Sequence, residues 1–236
     1  MKRLVLPIGL AIWVCAAGGA QAANLHFCFG CNFGSAQLGG SDFSDVVYVG
    51  SNFAGAELHG ASFRGAKLVA ANFQGADLSQ ADFDESECTA CNFAGAKLDG
   101  ASFTSTRMVA VNFDDFSSKL SDEALRALLS GCYKCDFRGA QLAGRDLSGV
   151  SMMGLDLSQA DLRGVKFNGA VLCWYAVNGT QRSTQCTTMK EARVAGASFL
   201  GVIVCADPLE AQSCTAVTAA ELRRDAGSQL EGATLP

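Results

Sequence analysis

The sequence predicts an all-β fold wound as a four-sided coil. Three observations carry that prediction. A large apolar residue recurs every five positions, a second pattern repeats every twenty, and a small residue stands two places before most of the apolar ones. From Phe33 the apolar positions run 33, 38, 43, 48, 53, 58, 63, 68, 73, 78, 83, 88, 93, 98, 103, 108 and 113, and only Cys88 is not bulky. Five matches neither the 3.6-residue period of a helix nor the 2-residue period of a strand. A chain that buries one residue in five must turn a corner every five residues.

The columns define the sides of the coil. Asn-Phe recurs at Phe33, Phe53, Phe73, Phe93 and Phe113, and Leu at 38, 58, 78 and 98. Phe fills 43, 63, 83 and 103, and the fourth column holds Tyr48, Leu68, Cys88 and Met108. Twenty residues therefore complete four sides, and each column stacks on itself. Backbone hydrogen bonds between coils set a rise of about 4.8 Å. The apolar residues and their small partners point inward. The other three positions of each five are rich in Asp, Glu, Lys, Arg, Gln, Ser and Gly and face water.

Segments such as "AELHG", "ASFRG", "AKLVA", "ANFQG" and "ADLSQ" resemble the A-[DN]-[LF]-x-x unit of the pentapeptide repeat family. The resemblance covers roughly residues 28–113, 132–172, 192–204 and 228–235. It implies a right-handed quadrilateral β-helix. The pattern weakens at Val47, Arg145 and Leu155. Three insertions, at about 114–131, 173–191 and 205–227, interrupt a single domain over 23–236. In the first, Ser121 can N-cap a helix through Leu129 that Gly131 ends, which leaves Phe113 and Phe137 one coil apart. The second holds Thr188-x-x-Glu191 and the third Thr218-x-x-Glu221, both capping-box patterns for short helices. Bulky segments near the end are expected as caps over the open core of a solenoid.

The first 22 residues read as a secretory signal peptide. Lys2 and Arg3 precede the apolar stretch Leu4–Ala17, and Ala20-Gln21-Ala22 offers a small-residue cleavage site after Ala22. The apolar stretch is short for a membrane span, and no later segment has the roughly 18 apolar residues one needs. The expected location is the periplasm or the outside of the cell. The formal net charge of −5 becomes −7 without Lys2 and Arg3, which disfavours nucleic acid as a partner.

Without Cys15, ten cysteines remain, an even set that reads first as disulfides in an exported chain. Cys28-x-x-Cys31 and Cys88-x-x-Cys91 lie three coils apart at the same corner, and Cys132-x-x-Cys135 fits that corner after the first insertion. In each pair both side chains point inward, so three within-turn bridges are expected: Cys28–Cys31, Cys88–Cys91 and Cys132–Cys135. Each stabilises by about 2 kcal/mol in the chain-entropy model. The last four cysteines flank insertions, which suggests Cys173–Cys186 and Cys205–Cys214, with Cys173–Cys205 plus Cys186–Cys214 as the alternative. Pairs three coils apart are too distant to share a zinc ion, and no metal or other cofactor is expected.

No residue set specifies a reaction, so the chain reads as a non-catalytic binding or structural scaffold. His26 and His59 lack a nucleophile with a matching third group. The column Asn32, Asn52, Asn72, Asn92 and Asn112 reads as side chains bonding neighbouring turns rather than as a ligand ladder. The best binding candidate is the loop closed by Cys173 and Cys186, which carries Trp174, Tyr175 and Arg182. Those residue types dominate binding hot spots, although Trp174 and Tyr175 also suit a cap over the coil. The expected partner is an unidentified protein, and the resemblance allows a homodimer through the capping segment. Two other functions stay open. The acidic residues Asp82, Asp84, Glu85 and Glu87 raise a DNA-mimicking topoisomerase inhibitor, as in some members of the family that is resembled. A Cys-x-x-Cys raises a thiol-disulfide oxidoreductase.

Overall fold

The structure is a computed structural model that describes residues 27–117, 119–178, 181–205 and 214–216. It divides into two compact units, residues 1–112 with 118–127 and residues 113–117 with 128–236.

In the first unit the five-residue corner arises from alternating backbone donation. The N–H of each central residue donates to the next coil, as Phe53 does to the Asn72 carbonyl at 2.7 Å. The N–H just before it donates to the previous coil, as Asn52 does to the Cys31 carbonyl at 2.8 Å. A third bond, from Ala56 N–H to the Phe53 carbonyl at 3.1 Å, closes the corner. The residue two places after the central one is left-handed, with φ of 65° at Gly65 and 54° at Ala90. Only glycine enters that region without strain, which accounts for the glycines at many corners.

The fourth side is the most extended. Its strands are β1 (Phe27–Phe29), β2 (Val47–Val49), β3 (Lys67–Val69), β4 (Glu87–Thr89) and β5 (Arg107–Val109). They pair in parallel at twenty-residue offsets, so that Cys28, Tyr48, Leu68, Cys88 and Met108 form one column. The other sides meet through isolated parallel bridges such as Asn52↔Asn72 and Glu57↔Asp77.

Two phenylalanine columns fill the core. Phe53 and Phe73 stack at 4.8 Å with rings 7° apart, and Phe63 and Phe83 at 4.9 Å and 5°. The columns meet edge-on, with Phe63 and Phe73 at 5.3 Å and 89°. Ring stacking thus takes the spacing of the backbone ladder. The small partners Ala56, Ala61, Ala66, Ala71 and Ala76 are no more than 1% exposed, so they set how closely the sides approach. Each buried Phe contributes about 1.5–3 kcal/mol through burial. Aromatic pairing adds roughly 0.5–1.5 kcal/mol per contact.

The second unit repeats the same coil. Phe137, Leu142, Leu147 and Met152 are followed by Leu157, Leu162, Phe167 and Leu172, all buried. The first insertion forms α1 (Asp122–Gly131), with Ser121 capping it: Ala124 N–H donates to Ser121 Oγ at 3.1 Å. Phe113 N–H still donates to the Asp136 carbonyl at 2.7 Å, and Phe113 and Phe137 stack at 4.7 Å. The helix therefore stands in for two sides of a coil without breaking the column. Strand β6 (Cys132–Tyr133) follows it directly.

The second insertion is not helical. It forms an antiparallel hairpin of β7 (Val171–Asn178) and β8 (Gln181–Cys186). Coil pattern returns at once: Leu157 N–H donates to the Thr188 carbonyl at 2.7 Å, and Met189 is buried. The capping box read at Thr188 and Glu191 does not form, because Glu191 occupies a left-handed corner with φ 59°. The periodic demand of the coil overrides a local helix signal there. In the third insertion β9 (Ile203–Cys205) pairs with β10 (Cys214–Ala216). The Thr218 and Glu221 pattern lies outside the described residues, as does the segment read as a signal peptide.

Truncating one ring tests the core. Phe73→Ala should destabilise by about 3–5 kcal/mol, seen as a lower guanidinium midpoint with an unchanged slope. Phe73→Leu should cost less, because a branched apolar side chain refills part of the space.

Candidate functional site

Each side of the coil offers a different outer surface, because side chains just before and after a central residue point to water. On the first side the Asn column satisfies itself. Asn52 Nδ2 donates to Asn32 Oδ1 at 3.0 Å, and Asn92 Nδ2 to Asn72 Oδ1 at 3.3 Å. The same oxygens accept backbone N–H groups two residues on, such as Ala54 N–H to Asn52 Oδ1 at 3.1 Å. This uses the polar capacity of the column for structure.

The acidic cluster is partly compensated. Arg64 reaches Asp82 at 3.9 Å and Asp84 at 3.4 Å and also bonds Glu85. Asp84 Oδ1 also takes the Thr104 N–H at 2.7 Å. On the fourth side Glu87 lies 3.8 Å from Lys67. One guanidinium among three carboxylates and one ammonium beside Glu87 interrupt the stripe and leave it net negative. His59 is exposed on the second side. No cluster of three or more metal-ligating side chains occurs among the described residues.

The cysteine corners share one backbone path, with a left-handed residue at Gly30, Ala90 and Lys134. Cys28 is bonded to Cys31 and Cys88 to Cys91, with Cα separations of 5.8 Å and 6.0 Å. The Cys132–Cys135 bridge expected from the sequence is not formed. Both residues are buried thiols, and burial, helped by the side-chain hydrogen bond to Cys135, pushes the Cys132 thiol well up. Cys132 is entered from the end of α1, whereas Cys88 is entered from a preceding coil corner. Thiols this buried do not suit an oxidoreductase, which needs an accessible thiolate.

The hairpin is the largest departure from the coil among the described residues. Its register opposes Cys173 with Cys186, Trp174 with Gln185, Tyr175 with Thr184 and Val177 with Arg182. Strand alternation then puts Tyr175, Val177, Arg182 and Thr184 on one face of the sheet. Trp174, Ala176, Ser183 and Gln185 lie on the other. The three residues read from the sequence as one patch are therefore split: Tyr175 and Arg182 share a face, and Trp174 does not. On its other side Trp174 registers with Cys205, and Cys205 with Cys214.

An apolar patch escaped the sequence reading. Phe27 (46% exposed), Phe29 (65%) and Val69 (41%) flank the central column on the outer face of β1 and β3. The two phenylalanine rings stack at 5.6 Å. Its signal was the apolar residue on both flanks in Phe27-Cys28-Phe29 and Val47-Tyr48-Val49, where the next three coils begin the strand with Lys67, Glu87 and Arg107.

A family model for pentapeptide repeats matches in eight copies over residues 28–68, 49–84, 86–115 and 134–172, more than half of the chain. The chain belongs to the pentapeptide repeat family. Among solved structures, it is similar to a pentapeptide repeat protein from the Arabidopsis thaliana thylakoid lumen, at 34% identity and TM-score 0.33 over 43% of this chain and 72% of that one. It is also similar to HetL, involved in heterocyst differentiation regulation in the cyanobacterium Nostoc, at 21% identity and TM-score 0.31 over 73% and 71%. A third is QnrB1, a plasmid-mediated fluoroquinolone resistance protein, at 24% identity and TM-score 0.36 over 78% and 81%. No curated protein matches. No helix among the described residues is long and apolar enough to cross a membrane.

One polar site in this pentapeptide-repeat coil is built for stability. Asp161, only 4% exposed, accepts from Arg163 at 2.7 Å and from Arg193, one coil on, at 2.9 Å. The hydrogen bond from Arg163 holds its carboxyl below the usual carboxylate range, against the opposing pull of burial. A depressed folded-state pKa stabilises the fold above the ordinary carboxylate pKa, and that contribution fades as pH falls through the folded value. Asp161→Asn should therefore lower the denaturation midpoint at pH 7. The gap to wild type should narrow below about pH 4, where the unfolded-state carboxyl protonates.

Proposed function

We propose that this protein is an exported, disulfide-stapled scaffold that acts by binding a protein partner, without catalysis, through the β7–β8 hairpin. The carrying observation is that the hairpin leaves the coil while the coil closes beneath it, with Leu157 bonded to Thr188 across the insertion. A rigid frame that supports one irregular element is the usual arrangement for recognition. Tyr175 and Arg182 on one face form the recognition pair, and Trp174, on the opposite face, registers with Cys205 of β9.

The apolar N-terminal stretch and the even cysteine set support export. The strand register favours Cys173–Cys186 and Cys205–Cys214, because each pair is directly opposed while Cys173 registers with Val204 rather than Cys205. Peptide mapping of the unreduced mature protein should recover both links, and recovery of a Cys173–Cys205 peptide would reverse the assignment.

Capture from envelope extract tests the recognition reading. The mature protein should retain a partner that the double variant Tyr175→Ala, Arg182→Ala loses, with binding weakened by at least about tenfold. Trp174→Ala should retain it. If the double variant captures the same partner undiminished, recognition lies on the coil sides instead.

A further inference from the structure

The two closed Cys-x-x-Cys bridges share a corner path but not a setting. Cys88 registers with Leu68 on one side and Met108 on the other, and Cys88 and Cys91 are each 1% exposed. Cys28 registers with Tyr48 on one side only, because β1 is the first strand of its sheet among the described residues. Cys28 is still buried, but Cys31 is only half-buried. The residues around it leave the bridge uncovered. Phe27 and Phe29 are exposed, and a Cβ added at Gly30 would meet nothing within 4 Å. Exposed disulfides are the ones that exchange with thiols, since the attacking thiolate must reach a sulfur.

The corner does not depend on the bond. Gly30 N–H donates to the Val49 carbonyl at 2.8 Å, and Asn52 N–H donates to the Cys31 carbonyl at 2.8 Å. Those bonds hold both cysteines to the next coil whether or not the sulfurs are joined. The third corner shows the same path in its reduced state: Cys132 and Cys135 are thiols, with Lys134 at φ 55° where Gly30 has 59°. Reduction of Cys28–Cys31 therefore leaves two thiols within reach of each other, ready to close again.

We propose that Cys28–Cys31 is a redox-active disulfide that exchanges reversibly with dithiols, while Cys88–Cys91 is a permanent staple. A thiolate of the dithiol attacks Sγ of Cys31, the more exposed residue of the pair. This forms an intermolecular disulfide and expels Cys28 Sγ as a thiolate, which takes up a proton. The second thiol of the reductant loses its proton and attacks its partner sulfur in the mixed disulfide. The reductant's own disulfide closes, and Cys31 Sγ leaves as a thiolate that is protonated in turn. Two electrons and two protons pass from the dithiol to the corner. The β7–β8 hairpin takes no part in this exchange, so the proposal stands apart from recognition by that element.

Timed alkylation of the mature protein in an excess of dithiothreitol tests it, with each cysteine followed by peptide mass spectrometry. Cys28 and Cys31 should be alkylated at least about tenfold faster than Cys88 and Cys91, with the circular dichroism spectrum unchanged. Glutathione, a monothiol, should be trapped on Cys31 rather than Cys28. Glutathione disulfide should then restore the bridge. Equal rates for the two pairs overturn the proposal, as does resistance of both to the reductant. So does opening of Cys28–Cys31 only in step with loss of the circular dichroism signal, or glutathione trapped on Cys28 instead.

Discussion

The alternating donation of backbone N–H groups, one up the coil and the next down it, is the constraint on which the rest depends. Phe53 donates forward to Asn72 and Asn52 backward to Cys31, and the same pair of bonds recurs at each side. Once that ladder forms, residues twenty apart must lie one above another, and the side chain at each level has to tolerate its own copy above and below. Flat rings satisfy that demand at the spacing the ladder imposes, as the 4.8 Å stack of Phe53 on Phe73 illustrates. Alanine satisfies it at the inner corners by being small. The corners themselves need a left-handed residue every five positions, which glycine meets without strain and residues such as Glu85 (φ 61°) meet by being held there.

A ladder of this kind tolerates interruption wherever the chain returns to the same place. Helix α1 and the β7–β8 hairpin are both inserted on that principle. Phe113 still stacks on Phe137, and Leu157 still donates to Thr188. Stability and novelty are thereby separated. The coil supplies a frame whose polar columns, such as the Asn ladder and the Arg163–Asp161–Arg193 pairing, are spent on holding coils together. The inserted segments are relieved of that duty. For the same reason the hairpin and the outer face of β1 to β3 are where binding chemistry can vary: neither Arg182 nor Phe29 belongs to a repeating column that the core requires.

The candidate site was legible in part. Composition alone singled out residues 173–186, since Trp174, Tyr175 and Arg182 cluster where the repeat stops. What composition cannot contain is the parity of a strand. Sequence neighbours on an extended strand point to opposite faces, so a patch drawn from adjacent letters divides once the segment is β rather than loop. The capping pattern at Thr188 failed for a related reason: a four-residue signal worth at most about 1–2 kcal/mol competes with a coil that offers several hydrogen bonds and a buried Met189. The exposed phenylalanine pair carries no periodic signal, because residues on either side of an inward column face water and do not recur from coil to coil.

The sequence by itself determined the five-residue corner, the twenty-residue coil, the stacking columns and the sites of the insertions, because identical neighbours in a ladder must recur at a fixed interval and the interval is visible as a pattern of letters. Only the tertiary structure decided the strand register of the hairpin, the pairing of Arg64 with the acidic cluster, and the thiol state of Cys132 and Cys135. These rest on which side chains meet across coils or strands. Periodicity fixes where a residue recurs, whereas contact depends on three-dimensional approach, and the aperiodic segments carry no repeat from which that approach can be read.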